Sequence, residues 1–279
     1  MAGDATDLQE EVFMYIFICE DSIDGIFTGI YDAWASGYGH ENVALTAYEP
    51  ENYMLFCEYI RVQTDFGKSG KVARTLRRHL GEETYGELCQ AALAFENSRS
   101  RRHSMDKADA IYKTVVLALS RKDGSKILQC LGEPCVSRTF RLSRSMGNEA
   151  HHLLGFLRFR ELENGVLFAQ ITPKNHVLEF LGEHFSDRLP EEDFMIYDAA
   201  HGQAALHTKG KGFFITDTQD LDEAGLSRIS GEEAEWQRLW KGFFDSIAIE
   251  ARKNPKLQGQ NLPKRFWKNM VELEPSLRA

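Results

Sequence analysis

Between residues 12 and 34 the chain changes its hydrophobic period once, and that change limits what it can fold into. VFMYIFIC (12–19) is a run of β-branched and aromatic residues, the pattern of a buried strand. It stops at Glu20-Asp21, and Ser22 is placed to cap a helix. Ile23, Ile26, Phe27, Ile30, Tyr31 and Trp34 then recur at the spacing of one helical face. A strand that runs straight into an amphipathic helix calls for a mixed architecture. The first half continues with a strand over VALTAYEP (43–50) and helices over 71–79, 82–95 and 106–120. The helix at 71–79 is strongly basic, with Lys71, Arg74, Arg77 and Arg78, and SRSRRHS (98–104) is a basic loop.

The second half mixes element types. Residues 136–153 have a helical pattern, with Arg138, Arg141 and Arg144 three apart. GFLRFREL (155–162) and VLFAQIT (166–172) flank Asn164-Gly165, the strongest short hairpin signal. Pro173 ends the second run, and 175–189 follow as a helix. FMIYD (194–198), AALHT (204–208) and GFFIT (212–216) form a meander with turns at His201-Gly202 and at Lys209-Gly210-Lys211-Gly212. An acidic, loop-like stretch (217–232) precedes a final amphipathic helix. Helices and antiparallel hairpins in blocks predict an α+β fold of antiparallel strands packed with amphipathic helices. A single domain over 1–279 is expected, with sub-lobes at 1–135 and 136–279.

Composition excludes some classes. Of 279 residues 43% are hydrophobic and 27% charged, as in a globular chain, and no apolar run approaches the ~20 residues of a membrane helix. The acidic opening MAGDATDLQEEV is not a secretory signal, and the expected compartment is cytoplasmic. Five cysteines, mostly in apolar segments, fit reduced thiols, and Cys130 and Cys135 have no second pair at zinc-site spacing. No metal or cofactor is expected.

Charge is unevenly distributed within a net of −9. Residues 1–65 hold thirteen acids against one base, and 66–182 hold nineteen bases against twelve acids. Residues 183–235 turn acidic again, thirteen acids to four bases, while 236–279 carry nine bases and four acids. The last block starts on an apolar helical side of Trp236, Leu239, Trp240, Phe243, Phe244 and Ile247. It continues with six cations and no acid between Arg252 and Lys268. Cations with interleaved rings suit a polyanion, because the charges meet phosphates and the rings stack on bases. The plainer alternative is a solvated helix end followed by a docking tail.

Sequence motifs for catalysis are sparse. No Walker loop, dinucleotide fingerprint, nucleophile elbow or HExxH stands in the chain, and KGKG (209–212) reads as a turn between strands. The densest polar group is NEAHH (148–152). Glu149 and His152 would share a helical face, and Glu149, His151 and His176 are the candidate acid/base groups, with His184 and Asp198 able to join them. The cluster Glu20, Asp21 and Asp24 suits turn and cap roles better than metal ligation.

Four segments together resemble an uncharacterised bacterial family of DNA-metabolism and DNA-repair proteins built on a domain of unknown function. They are YIFICEDSIDGIFTGIYDAW (15–34), NEAHHLLGFLRFREL (148–162), TPKNHVLEFLGEHFSDRLPEEDFMIYD (172–198) and the Arg-x-Asn-Pro…Pro-x-Arg-aromatic-Trp ending of 252–267. The family often has Arg or Lys where His152 stands, so a His–His chemistry is not implied. The resemblance implies association with a radical S-adenosylmethionine protein of DNA-repair type, and kinship with domains fused to family X uracil-DNA glycosylase-like modules. The chain has no cysteine triplet for an iron–sulfur cluster and is not itself that radical enzyme.

The expectation is therefore a DNA-metabolism accessory protein that binds nucleic acid beside a partner enzyme. Charge and motif together select Arg158, Arg160, Arg188, Arg252, Asn254, Lys256, Lys264, Arg265 and Trp267 as the contact residues. In this reading Arg158 and Arg160 alternate to one face of a hairpin strand. Two alternatives stand beside it: a DNA-processing enzyme using Glu149 and His151, and a protein–protein adaptor without direct DNA contact.

Overall fold

A computed structural model describes residues 13–50, 52–96, 105–218 and 223–273 of the chain. The basic loop at 98–104 lies outside the described residues, as does 219–222 of the acidic stretch. The chain divides into two compact units, Met1–Met146 and Gly147–Ala279.

The first unit is built on three strands. β1 (Met14–Ile18) lies between β2 (Val43–Thr46) and β3 (Cys57–Arg61), and both pairings are parallel. Helix α1 (Ile23–Ala35) connects β1 to β2, and Ser22 caps it by accepting from the Gly25 amide at 3.0 Å. The apolar stripe seen in the sequence buries Ile26, Phe27 and Ile30. Helix α2 (Phe66–Leu93) follows, broken by Gly81 at φ 83° into two helical stretches. Glycine adopts that conformation without a Cβ clash, which explains why the sequence reads as two helices there. Helix α3 (Lys107–Ser120) buries Ile111, Tyr112 and Val115, and α4 (Pro134–Phe156) carries the chain across the unit boundary. Strand β3 carries no clear strand signal in the sequence, because its five residues are half-buried or exposed and lack a clear alternation.

The acidic cluster past β1 holds the unit together. The Glu20 carboxylate accepts from the Thr64 hydroxyl, and Asp24 accepts from Ser69 at 2.6 Å. Asp21 pairs with Lys107, whose side chain is fully buried and also donates to the Ala94 carbonyl at 2.8 Å. Glu96, likewise buried, pairs with Arg138. Each buried charge thus has an opposite charge and further hydrogen bonds, without which its desolvation would be costly.

The second unit is a five-stranded sheet in the order β4 (Arg160–Glu161), β5 (Leu167–Ile171), β6 (Phe194–Asp198), β7 (Gln203–Thr208) and β8 (Gly212–Asp217). The Asn164-Gly165 turn is present, with Gly165 at φ 80° and the Val166 amide donating to the Asn164 side chain. The hairpin is shorter than the sequence suggests, because α4 runs on to Phe156 and leaves two residues for β4. β6, β7 and β8 form the expected meander, and the KGKG segment turns between β7 and β8. β5 and β6 pair in parallel, joined by a crossover that carries helix α5 (Leu178–Arg188). Three of the six strand pairings among the described residues are parallel. The fold is α+β, and the expectation of mainly antiparallel strands is corrected: both strand–helix–strand segments close as parallel pairs.

Leu162, Phe168, Met195 and Ala204 form a core cluster of this sheet, with Val166, Tyr197, Leu206 and Leu226 packed against it. Gly182 on α5 lets that helix approach β8: a Cβ there would stand 2.4 Å from the ring of Phe213. The chain then forms α6 (Glu223–Leu226), α7 (Gly231–Ser246), α8 (Pro255–Asn261) and three 3-10 turns, Glu250–Arg252, Lys264–Asn269 and Val271–Leu273. No helix among the described residues is long and apolar enough to cross a membrane.

Candidate functional site

The NEAHH segment lies on α4, and its residues separate by helical phase. Glu149 is 2% exposed. It accepts from the Lys174 amide at 3.0 Å, the Asn175 amide at 2.8 Å and Asn175 Nδ2 at 2.6 Å, and it pairs with Arg265 at 3.0 Å. With four donors around it the carboxylate is an anchor, tying α4 to the β5–α5 loop and to the terminal segment. His151 is exposed, since two residues along a helix turn about 200°. His152 does not pair with Glu149; its ring stacks on Phe156 at 5.7 Å and meets the edge of Phe266. His151 and His152 are therefore not assembled with Glu149 as the sequence suggested.

A histidine that sequence reasoning passed over does join the cluster. His201, in the β6–β7 turn, places Nδ1 2.6 Å from Asp198 Oδ2, and its ring lies 4.1 Å from that of His176. Its pKa is raised above the ordinary histidine value, chiefly by the Asp198 hydrogen bond. Partial burial opposes the shift, while the Asp198 charge, a backbone hydrogen bond at Lys174 and the Glu149 charge favour it. The expected meeting of His176 with Asp198 thus occurs through His201. The signal was available in the sequence as an Asp and a His three apart across a Gly-containing turn. His184 is exposed on α5, with its ring edge against Phe185. No group of three or more His, Cys, Asp or Glu among the described residues is arranged to hold a metal ion.

The nine expected contact residues fall into two sets. Five are engaged within the protein. Arg158 donates to Glu272 Oε1 through Nε at 3.1 Å and through Nη2 at 2.9 Å, and to the carbonyls of Gly155 and Leu157. Arg160 donates to the Leu226 carbonyl and lies over the Phe168 ring at 5.0 Å. The two do not alternate along one strand, because β4 begins only at Arg160. Arg265 pairs with Glu149 and lies over Phe266. Asn254 caps α8 by accepting from the Leu257 amide, and Trp267 Nε1 donates to the Leu262 carbonyl at 2.9 Å. The other four, Arg188, Arg252, Lys256 and Lys264, are exposed, as is Asn254, and Lys264 lies 6.0 Å from the centre of the Trp267 ring.

Helix α7 contrasts with that internal bonding. Ser230 caps it by accepting from the Glu233 amide at 3.1 Å. Most of its apolar face is open to solvent: Trp236 is 66% exposed, Leu239 57%, Trp240 44%, Phe243 53% and Ile247 56%, while Phe244 is half-buried. No residue of this helix is buried. Exposed apolar residues grouped on one helix face differ from the single, scattered ones that surfaces normally carry. Trp236, Trp240 and Phe243 stand on one face at steps of about 6 and 4.5 Å along the axis. The rings of Trp240 and Phe243 lie 6.0 Å apart. Arg238 and Lys241 lie on the same helix, and Arg252 and Lys256 follow it.

The comparisons define a class. A family described as a domain of unknown function, DUF4130, matches residues 105–272. This chain belongs to that family. The match takes in the second and third segments of the resemblance and the Arg-x-Asn-Pro ending, and leaves the opening strand and helix outside it. No curated protein matches the chain. Among solved structures, the DHH domain of a member of a ribosomal-protein family is similar at 8% identity and a TM-score of 0.36, covering 71% of this chain and 74% of that one. A likeness so distant carries no function.

Proposed function

We propose that this chain is a nucleic-acid-binding accessory protein of DNA metabolism, working beside a partner enzyme. The radical S-adenosylmethionine protein implied by the resemblance is the first partner to test. The observation that carries the reading is α7: an open row of Trp236, Trp240 and Phe243, with exposed Arg252 and Lys256 following. Rings that stack on bases and cations that meet phosphates are the two parts of a sequence-tolerant strand-binding surface. Glu149, with its donors in place, serves this reading as a structural anchor.

The test is fluorescence anisotropy with labelled single-stranded and duplex oligonucleotides over a salt series. Binding should weaken steeply as salt rises, and Arg252→Ala with Lys256→Ala should flatten the slope by roughly 1–2 in log–log terms. Absence of binding to any strand at low salt would overturn the reading. The same apolar face supports a second reading, a protein–protein adaptor docking through α7. That reading predicts partner capture that survives nuclease treatment and is lost in Leu239→Asp.

A further inference from the structure

A recess of about 430 Å³ opens at the N-terminal half of α7. Phe159, Trp236 and Trp240 give it aromatic walls, and Arg158, Gln237 and Glu272 give it polar ones. Glu272 is the informative residue. Its side chain is 4% exposed, and its Oε1 takes both hydrogen bonds from Arg158. Its Oε2 is buried and has no hydrogen-bond partner among the described residues. A buried carboxylate oxygen without a donor is costly, and such atoms call for an explanation. Gln237 adds a second acceptor: its Nε2 donates to Glu233 at 2.7 Å, which leaves the amide oxygen for another group.

Aromatic walls and acceptor-rich polar groups define a ligand that is flat and carries N–H donors. We propose that this recess takes a single unpaired nucleobase bearing an exocyclic amino group. In this arrangement the base stacks on Trp236 or Trp240, and its amino edge donates to the Gln237 amide oxygen and, as the recess adjusts around the base, to Glu272 Oε2, which is buried while the recess is empty. Carboxylates accept from cytosine N4 by this chemistry, and an amide oxygen accepts from adenine N6. Arg158 holds the carboxylate in place and leaves its second oxygen for the base. The recess can be filled only by a base that is out of the duplex stack, because a base within a duplex has both faces covered by its neighbours and cannot stack on Trp236 or Trp240. The inference rests on the nucleic-acid-binding reading above and adds what that reading lacks, a site that distinguishes one base from another.

The test uses the whole chain with short single strands of equal length: oligo-dC, oligo-dA, oligo-dT and an abasic strand with the same number of phosphates. Affinity is measured by anisotropy, and stacking by quenching of tryptophan emission. Base-bearing strands should bind at least about tenfold more tightly than the abasic strand, with oligo-dC and oligo-dA ahead of oligo-dT. Trp240→Ala should lower oligo-dC affinity several-fold toward the abasic level and remove its lead over oligo-dT. Gln237→Ala, outside the Arg158–Glu272 pair, should narrow the gap between oligo-dC and oligo-dT while leaving abasic binding unchanged. If Glu272→Gln folds, it should narrow the same gap. Equal affinity for base-bearing and abasic strands would overturn the base site and leave the phosphate-binding reading standing. Failure of every strand to bind, abasic included, would overturn both and leave the exposed aromatics to a protein partner.

Discussion

The terminal segment contains two stretches of similar composition with opposite fates. Residues 236–256 and 262–273 both combine aromatic and aliphatic side chains with cations. In the second stretch Phe266 is 5% exposed, Met270 3% and Leu273 8%, Arg265 pairs with Glu149, and the Trp267 indole bonds to Leu262. In the first stretch Trp236, Trp240 and Phe243 face solvent, and Arg238, Arg252 and Lys256 are exposed. The difference teaches that an aromatic-basic pattern is not itself a binding signal. Half of it serves to fasten the chain to its own sheet unit, and only the other half is open to a partner.

The largest expected effect breaks that comparison at its buried end. Phe266→Ala removes a ring packed against Phe156, His152 and the Arg265 guanidinium. It should cost about 3–5 kcal/mol, as large-to-small changes in cores do. A urea melt followed by circular dichroism checks it. A loss under about 1 kcal/mol, the size of an ordinary surface change, would mean that the terminal turns do not fasten the second unit.

Next in size is the anchor. Glu149→Ala removes the acceptor for the Lys174 and Asn175 amides and for Asn175 Nδ2, and leaves Arg265 without its partner. Stability should fall by roughly 2–4 kcal/mol, tempered because Arg265 is partly solvated. Oligonucleotide affinity measured well below the melt should change little. A strong loss of binding or turnover in a variant as stable as the parent would instead return Glu149 to a chemical role.

The sequence made the elements legible and their partners much less so. The helical stripe of α1, its Ser22 cap and the Asn164-Gly165 turn follow from local rules, and each is where those rules put it. Parallel pairing was hidden because it depends on which strands meet after a crossover, not on the strands' own residues. The site behaved similarly. Glu149 stood out as polar and histidine-flanked, yet its role was set by donors 25 and 26 positions away at Lys174 and Asn175. Arg158 and Arg265 looked like phosphate clamps because the sequence does not show Glu272 or Glu149 beside them. His201 was passed over because a histidine in a turn has no periodicity to mark it.

A smaller effect sharpens the contrast between buried and open polar groups. His201 has a raised pKa, held up first by its hydrogen bond to Asp198. A group whose pKa rises on folding stabilises fully below its unfolded value, about 6.5 for histidine. That stabilisation is lost as pH climbs through the folded value. The unfolding free energy should therefore decline on the alkaline side of about pH 6.5, and His201→Gln should remove that part of the slope. Chemical denaturation at several pH values tests it. A parental slope retained in the variant would assign the pH dependence to another group.

The smallest effect on stability is expected where the effect on binding is largest. Phe243 is 53% exposed on α7 and lies outside the recess at the head of that helix. Phe243→Ala should shift stability by no more than about 0.5 kcal/mol, as exposed substitutions do. If α7 is a stacking platform, single-strand affinity should drop about tenfold in the same protein, because a lost base–ring stack is worth that much. Phe266→Ala should show the reverse, a large stability loss with near-normal affinity for whatever fraction remains folded. The two phenylalanines then differ only in whether the chain has already covered them. A stability loss in Phe243→Ala comparable to that of Phe266→Ala would mean that α7 packs against protein in solution, and the open face would no longer support strand binding.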